Sequence, residues 1–226
     1  MHIHLLPGID DGSKSMEETE KMLKIIEEDG INKVIATPHF YRGYYESSHE
    51  DVVKLVDKVN KLCEEKDINV EVHSGQEVFL DRHTLEDYEA SRIAPMENTD
   101  YMLVELPMMK MPEDAMSIVY ELRIKGIRPI MAHPERYMYV IEQPDIVNTF
   151  VDEGCLLQIN SGSIRGRFGK DVMKTAHTLI KNGMCNLIGS DAHSEIKRKP
   201  GLSEAFNIVK DMDKDFAANL EDNSEK

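Results

Sequence analysis

The chain alternates two patterns of apolar residues. Seven short runs rich in β-branched and other apolar residues predict buried strands, which typically span roughly four to eight residues. These runs lie at residues 2–6, 33–37, 69–74, 101–106, 128–132, 156–160 and 186–189. Between them, apolar residues recur every three or four positions, as they do in an amphipathic helix with one buried face.

Start and stop signals support the predicted helices. Ser15 with Glu18 three residues later forms a capping box, and the apolar pattern that follows runs to a stop at Gly30. Further helical patterns lie around residues 52–62, 81–90, 115–122, 144–150, 172–180 and 202–209, of which the second is weak. Each predicted strand is therefore followed by a helix.

This alternation predicts an α/β fold with parallel strands and right-handed crossovers. Periodicity alone fits an open doubly wound sheet as well as a closed barrel. The barrel is favoured because chemically distinctive residues fall at or just past the end of nearly every strand, and a closed barrel brings all strand ends to one mouth. No linker or low-complexity segment interrupts the pattern, so we predict a single domain over residues 1–226.

The composition narrows the class of protein. With 42 acidic and 27 basic residues the formal net charge is -15, which disfavours nucleic-acid and anionic-membrane partners. No apolar run approaches the roughly 18 residues of a membrane span, and no secretory leader pattern is present. Cys63, Cys155 and Cys185 are widely spaced and odd in number, which indicates free thiols. We therefore expect a cytoplasmic protein.

Histidines and carboxylates at the strand ends are candidate metal ligands. His2 and His4 flank one residue, so in a strand their imidazoles point to the same side. The full set is His2, His4, Asp11, His39, Glu77, Glu105, His133, Asp191 and His193. Nitrogen and oxygen donors without thiolate suit manganese, iron or zinc. Nine donors exceed what one ion uses, so we expect two or three ions, as in phosphatases and related hydrolases.

Each candidate also has a simpler interpretation. A glutamate at a strand end, such as Glu77 or Glu105, is more often a loop charge or a helix cap, and His133 before a proline could be a core histidine. The joint pattern favours ligation because the other four histidines lie on helices, in loops or inside a strand. We interpret those four as structural or surface residues: His49, His73, His83 and His177.

A cysteine-based phosphatase mechanism can be excluded. It requires a cysteine followed six residues later by arginine, so that a thiolate lies in a phosphate-binding loop. The residues at those positions are Asn69, Ser161 and Asp191. Nucleotide-binding glycine motifs are absent as well. The glycine-rich basic segment 166–170 is either a lid beside the site or a solvated turn.

Seven short segments carry a resemblance to a known family. They are His2-Ile3-His4 with Asp10-Asp11-Gly12, Ala36-Thr37-Pro38-His39, Gly75-Gln76-Glu77, Val104-Glu105-Leu106-Pro107, Ala132-His133-Pro134-Glu135-Arg136-Tyr137 and Gly189-Ser190-Asp191-Ala192-His193. Together they resemble the PHP (polymerase and histidinol phosphatase) superfamily along almost the whole chain. Within it they are similar to the manganese-dependent bacterial protein-tyrosine phosphatases of capsule and exopolysaccharide synthesis. Only Met1 precedes His2, so the first strand is expected to be short.

The resemblance implies a distorted (β/α)₇ barrel of the PHP type with up to three Mn²⁺ ions, for which iron or zinc could substitute. It assigns His2, His4, Glu77 and Asp191 to one ion, Glu77, Glu105 and His133 to a second, and Asp11, His39 and His193 to a third. It gives Arg136 and Arg198 the roles of holding phosphate and supporting catalysis.

The implied function is a phosphotyrosine-protein phosphatase that acts by in-line attack of a metal-bound hydroxide and regulates capsular polysaccharide synthesis. Its implied partner is a tyrosine autokinase of polysaccharide export. Three divalent ions would outweigh the four carboxylates and so attract a dianionic phosphate. Two alternatives stay open: a histidinol-phosphate or other small-molecule phosphoesterase on the same fold, and a non-catalytic partner-binding module.

Overall fold

The computed structural model describes residues 2–225, with side chains through residue 220. The strands are β1 (His2–Ile3), β2 (Lys33–Ala36), β3 (His39–Phe40), β4 (Glu71–Ser74), β5 (Glu77–Phe79), β6 (Tyr101–Glu105), β7 (Arg128–Ala132), β8 (Leu156–Asn160) and β9 (Leu187–Gly189). The helices are α1 (Met16–Glu28), α2 (His49–Lys66), α3 (Thr84–Glu89), α4 (Ala115–Ile124), α5 (Met138–Glu142), α6 (Asn148–Asp152), α7 (Ser161–Ile164), α8 (Lys170–Lys181), α9 (Ser203–Met212) and α10 (Lys214–Glu225). Single 3₁₀ turns lie at Pro134–Arg136 and Pro144–Val147.

All paired strands run parallel, in the orders β1-β2-β4 and β3-β5-β6-β7-β8-β9. Since β3 follows β2 and β5 follows β4 after breaks of two residues, each pair forms one interrupted strand. The two edges then meet. The backbone N–H of Asp191 donates to the carbonyl of His2, and that of His4 donates to the carbonyl of Ala192, both at 2.9 Å. The predicted distorted barrel of seven parallel strands with outer helices is confirmed.

The interruptions correct the prediction at two candidate ligands. The sequence pattern ends the second strand at Thr37 and the third at Ser74, but both strands resume, and His39 then pairs with Glu77. Pro38 has no N–H for the sheet, and a side-chain carbon at Gly75 would lie 2.8 Å from the side chain of Ile35. His39 and Glu77 therefore lie inside strands rather than beyond their ends.

Most helices follow the predicted pattern. α1 begins after Ser15, whose hydroxyl accepts a hydrogen bond from the backbone N–H of Glu18 at 3.3 Å. The carboxylate of Glu18 accepts from Lys14 instead of Ser15, so the capping box is only half formed. The helix expected near Pro144 is divided into a 3₁₀ turn and α6, and the pattern does not predict α5, which precedes them. The pattern does not predict α7 or α10, because short or largely polar segments repeat the apolar spacing too few times.

Apolar side chains fill the space between the strands and the surrounding helices. Leu23 and Ile26 of α1 pack with Val56 of α2 against the first strands, and a second cluster that includes Phe150 and Leu157 surrounds the later ones. Each fully buried side chain of this kind stabilises the fold by roughly 1.5–3 kcal/mol. This stabilisation offsets the cost of burying the polar groups at the carboxyl ends of the strands. No helix in residues 2–225 is long and apolar enough to span a membrane.

Candidate metal centre

The carboxyl ends of the strands bring all nine predicted ligands into one cluster centred on Glu77. This carboxylate is fully buried. Its Oε2 lies 3.2 Å from Nε2 of His2, from Nε2 of His4 and from Nδ1 of His39. Its Oε1 lies 3.0 Å from Nε2 of His133. Four imidazoles thus converge on a single carboxylate, two from within β1 and β3 and two from just after β1 and β7.

The first implied ion group is compact. Nε2 of His2 lies 3.1 Å from Nε2 of His4. Oδ1 of Asp191 lies 3.7 Å from His2 and 3.6 Å from His4. With Oε2 of Glu77 these atoms surround a space of the size that one cation would need, since neighbouring ligand atoms of an ion lie about 3 Å apart when each is about 2.1 Å from it.

The other two groups share His39 as a neighbour. His133 lies 3.4 Å from Oε1 of Glu105, and Nδ1 of His39 lies 3.9 Å from Oε2 of Glu105. Oδ1 of Asp11 lies 3.6 Å from Nε2 of His39 and 3.4 Å from Nε2 of His193. The possible ligand atoms of four residues all lie within 4.8 Å of one another: His4, Asp11, His39 and His193. The structure therefore brings the second and third implied groups together as well.

The pKa shifts of several of these side chains fit divalent cations. Burial lowers the pKa of His39, His133 and His193, which favours the neutral imidazole that a metal requires. Burial raises the pKa of Glu105 to about 9, and the charge of Glu77 adds to this effect. When two carboxyl groups lie this close, the charge of one disfavours ionisation of the other unless bound cations compensate the repulsion.

Glu77 supports the same conclusion. Burial opposes its ionisation, yet the imidazoles of His2 and His133 hold its pKa well below the usual range. Its Oε2 is buried and accepts no hydrogen bond from the residues that the structure describes. A buried carboxylate oxygen without a donor, facing three imidazole nitrogens, is the environment of a metal ligand.

Polar residues behind the ligands orient them. Oδ2 of Asp10 lies 2.7 Å from Nδ1 of His4, and the amide oxygen of Gln158 lies 2.8 Å from Nδ1 of His2. Such contacts leave Nε2 of each ring facing the cluster. Sequence reasoning missed both residues. Two signals could have found them: Asp10 adjoins the candidate ligand Asp11, and Gln158 is a polar residue inside an otherwise apolar predicted strand.

Two candidate ligands sit on backbone that bends sharply after a strand. His133 has φ 36° and Asp191 has φ 49°, in the left-handed region that non-glycine residues rarely adopt. Each directly or closely follows the carboxyl end of its strand, β7 or β9. The surrounding hydrogen bonds hold this strained geometry, which turns both side chains into the cluster.

Arg136 and Arg198 both bind the far oxygen of Asp191. Nη1 of Arg136 and Nη2 of Arg198 lie 3.0 Å and 2.5 Å from Oδ2, and the side-chain amide of Asn160 donates to the same oxygen at 2.5 Å. Burial opposes ionisation of Asp191, but its electrostatic interactions with His2, His133 and Arg198 hold its pKa below the usual range. Oδ1 is left facing the histidines. The arginines therefore border the cluster, as expected of phosphate-binding groups.

The glycine-rich segment 166–170 also borders this site. Cζ of Arg136 lies 4.8 Å from the ring centre of Phe168, and Cζ of Arg198 lies 5.9 Å from it. The guanidinium of Arg167 donates to the carbonyl of Lys197, which ties the two loops together. No sequence signal singled out Phe168, because its contacts are with residues distant along the chain.

The four remaining histidines lie outside the cluster. His73 lies 3.6 Å from carboxylate oxygens of both Glu71 and Glu97, and His177 lies 3.0 Å from the carbonyl of Ile164. Among the described residues, none of the four belongs to a group of possible metal ligands. Their interpretation as structural or surface residues agrees with these contacts.

Known proteins share this architecture. YwqE of Bacillus subtilis, a tyrosine-protein phosphatase, is 31% identical over 97% of this chain and 85% of its own length. A crystal structure from a study of YwqE and of CpsB from Streptococcus pneumoniae, described there as unique metal-dependent tyrosine phosphatases, superposes with a TM-score of 0.95. It is 31% identical and covers 99% of this chain and 91% of that chain.

A more distant likeness concerns the fold alone. The histidinol phosphate phosphatase of Lactococcus lactis, solved with zinc, L-histidinol and phosphate, has a TM-score of 0.62 at 13% identity, covering 95% of this chain and 92% of that chain.

The model of the capsular polysaccharide synthesis family CpsB/CapC matches residues 1–226. With that match and a relative above 30% identity, this chain belongs to the CpsB/CapC family of capsular polysaccharide synthesis.

Proposed function

We propose that this protein is a metal-dependent phosphotyrosine-protein phosphatase that acts in the regulation of capsular polysaccharide synthesis. One observation carries the proposal. Five imidazoles and three other carboxylates surround Glu77 at the mouth of the barrel, and two arginines border them. The activity of the relatives that share the fold and most of the chain supports the same function.

We propose Mn²⁺ as the metal, which the donor set suits. The nine proposed ligands are those named from the sequence, and all of them offer nitrogen or carboxylate oxygen. Cations bound there would supply Lewis acidity, which lowers the pKa of water and neutralises the charge of a phosphoryl group. Zinc or iron would fit the same donors, so the identity of the metal is part of the test.

The protein's own side chains have distinct tasks in this reaction. Arg136 and Arg198 would bind the phosphoryl oxygens through their N–H donors, as planar guanidinium groups do with phosphate. Asp10 and Gln158 hold the rings of His4 and His2 in place. The cysteines cannot supply a nucleophile, because all three are buried and burial raises the pKa of Cys155 to about 12.

The proposed substrate is a bacterial tyrosine autokinase of polysaccharide export, and the proposed compartment is the cytoplasm. A phosphotyrosine carries close to two negative charges near neutral pH. The protein itself is strongly acidic, with a formal net charge of -15, so attraction of the substrate has to arise locally from the bound cations and the two arginines.

The test compares three substrates. The purified protein is assayed on a phosphotyrosine peptide, histidinol phosphate and a nucleotide monophosphate, with added Mn²⁺, Zn²⁺ or Fe²⁺ and with chelator. We expect hydrolysis of the phosphotyrosine peptide that is abolished by chelator and restored best by Mn²⁺. Glu77→Gln should lose this activity, while Glu71→Gln, on the exposed face of β4, should keep it. Chelator-insensitive turnover, or preference for histidinol phosphate, would contradict the proposal.

A further inference from the structure

A short tyrosine-rich hairpin follows β3 at the mouth of the barrel. The backbone N–H of Tyr41 donates to the carbonyl of Tyr45 at 2.7 Å, and that of Tyr45 donates back at 2.8 Å. Gly43 has φ +84°, which the tight turn requires and which glycine adopts without strain. This hairpin, residues 41–45, is not used by the proposed phosphoryl chemistry.

The rings of Tyr41, Tyr44 and Tyr45, which we call the aromatic row, form two stacks beside the metal centre. The ring of Tyr45 stacks on His39 with centroids 5.8 Å apart and an angle of 16°. Tyr41 stacks on Phe79 at 4.0 Å, and Tyr44 stacks on Tyr41 at 4.5 Å. Phe79 is paired with Glu105 in the sheet, so the two stacks start next to two candidate ligands, His39 and Glu105.

The hairpin is anchored, so the row is already in place before a ligand binds. Arg42 extends to α3, where its Nη2 and Nε lie 2.6 Å and 3.2 Å from the two carboxylate oxygens of Asp87. Asp87 is itself buried. The backbone N–H of Gly43 donates to the carboxylate of Glu46 at 2.6 Å. Such preorganisation reduces the entropy that a binding surface loses when it is occupied.

The metal centre opens towards this hairpin. The side chains of His2, His4 and His133 are at most 1% exposed, whereas those of His39 and Asp11 are 17% and 49% exposed. Those two exposed ligands lie on the side where Tyr45 stacks. Tyr44 is 73% exposed, which leaves its ring free for a further contact.

The arginines follow other strands than the hairpin does: around the ring, the strand before Arg136 lies three positions from the hairpin's strand, and the strand before Arg198 lies two. Arg136 follows β7 and Arg198 follows β9, while the hairpin follows β3, which is separated from both around the barrel. A phosphoryl group held by the arginines over the metal centre would therefore direct its ester substituent towards the aromatic row. For phosphotyrosine that substituent begins with a phenyl ring, which pairs well with other aromatic rings.

We propose that Tyr44 and Tyr45 receive the phenyl ring of phosphotyrosine and so select aryl over alkyl phosphate monoesters. This inference rests on the proposed phosphatase function and names the residues that determine its substrate class. A phosphoserine side chain has no ring to place against these tyrosines. An aromatic contact of this kind contributes roughly a 2- to 10-fold preference per pair.

Two inert inhibitors separate ring binding from the chemistry of the leaving group. Inhibition constants of phenylphosphonate and methylphosphonate are measured on the Mn²⁺-loaded protein, with phosphotyrosine peptide as substrate. The variants are Tyr44→Ala, Tyr45→Ala and Tyr45→Phe, and the control is Tyr120→Ala, which changes an exposed tyrosine on the outer helix α4. Metal content is measured for each, because Tyr45 touches His39.

We expect the wild-type protein to bind phenylphosphonate more tightly than methylphosphonate. The ratio should fall roughly 2- to 10-fold in each alanine variant and stay unchanged in Tyr45→Phe and Tyr120→Ala. If both alanine variants keep the wild-type ratio at full metal content, the tyrosines do not contact the ring and the inference is wrong. If the wild-type protein shows no metal-dependent hydrolysis at all, the proposed function itself fails, which is a different result.

Discussion

The ring centre of Phe168 lies 4.8 Å from Cζ of Arg136. The same ring contacts the guanidinium of Arg198 at 5.9 Å, and both arginines bond Oδ2 of Asp191. Two like charges are thus held near each other by one aromatic ring and one carboxylate oxygen. Cation–π attraction and charge-assisted hydrogen bonds offset their repulsion.

Replacing Phe168 should change the positions of the guanidinium groups of Arg136 and Arg198 while both arginines remain present. In Phe168→Leu the apolar volume is largely kept but the π-face is lost, so we expect turnover of a phosphotyrosine peptide to fall roughly 3- to 30-fold. Phe168→Tyr should retain near wild-type turnover, since its ring can still carry the guanidinium groups. Steady-state kinetics on both variants, with Phe206→Leu on α9 as a control, provides the measurement. Equal rates for Phe168→Leu and wild type would show that the contact has no catalytic consequence.

Arg136→Ala should separate catalysis from metal binding. We expect turnover to fall roughly 100-fold, as when one donor to a developing anionic charge is removed. Metal content should stay at the wild-type level, because Arg198 and Asn160 still bond Oδ2 of Asp191. Elemental analysis beside the kinetic assay checks both statements. Arg165→Ala, which removes a surface ion pair with Glu204, is the matched control. A parallel loss of metal would mean that Arg136 is structural.

Asp10→Asn should weaken metal binding rather than substrate binding. Burial disfavours the charged form of His4, yet the pKa of this imidazole is held well above its usual value by Asp10 and then by Glu77. Removing the carboxylate removes the charged acceptor that orients the ring, so we expect the Mn²⁺ affinity to fall roughly 10- to 100-fold. Titration of metal-free protein with Mn²⁺ measures the change. The exposed Asp57→Asn on α2 should bind Mn²⁺ as the wild type does; unchanged affinity in Asp10→Asn would contradict the orienting role.

Glu135 should make stability depend on pH. Burial raises its pKa from the ordinary 4.5 to about 7, although its Oε1 accepts a hydrogen bond from the backbone of Asn160. Because the folded protein binds this proton more tightly than the unfolded chain, its contribution to stability is present below pH 4.5 and is lost as the pH rises towards 7. The full loss corresponds to roughly 3 kcal/mol.

Glu135→Gln removes that dependence. Relative to wild type, we expect the free energy of unfolding of the variant to increase by roughly 2 kcal/mol between pH 5 and pH 8. Denaturant titrations of both proteins in chelator, at the two pH values, give the comparison. The exposed Glu121→Gln on α4 should show no such change. A constant difference between Glu135→Gln and wild type would indicate that Glu135 keeps an ordinary pKa.

Local pattern was sufficient for much of the fold. The apolar run at residues 128–132 coincides with β7, and the capping serine at position 15 begins α1. Both features depend on residues close together in the chain, so local propensity and periodicity are enough to predict them. The pattern failed around residues 134–152, where short turns and helices alternate too quickly to establish a period.

The sequence by itself determined the order of parallel strands and helices, the family resemblance and the residue types able to hold metal, because these depend on local spacing and chemistry. Only the tertiary structure decided that Glu77 is the centre of the cluster, that Asp10 and Gln158 orient two of its histidines, and that both arginines meet on Asp191. These contacts join residues up to 156 positions apart. Closure of the barrel sets the distances between these residues, and local sequence patterns contain no information about distances across a closed ring of strands.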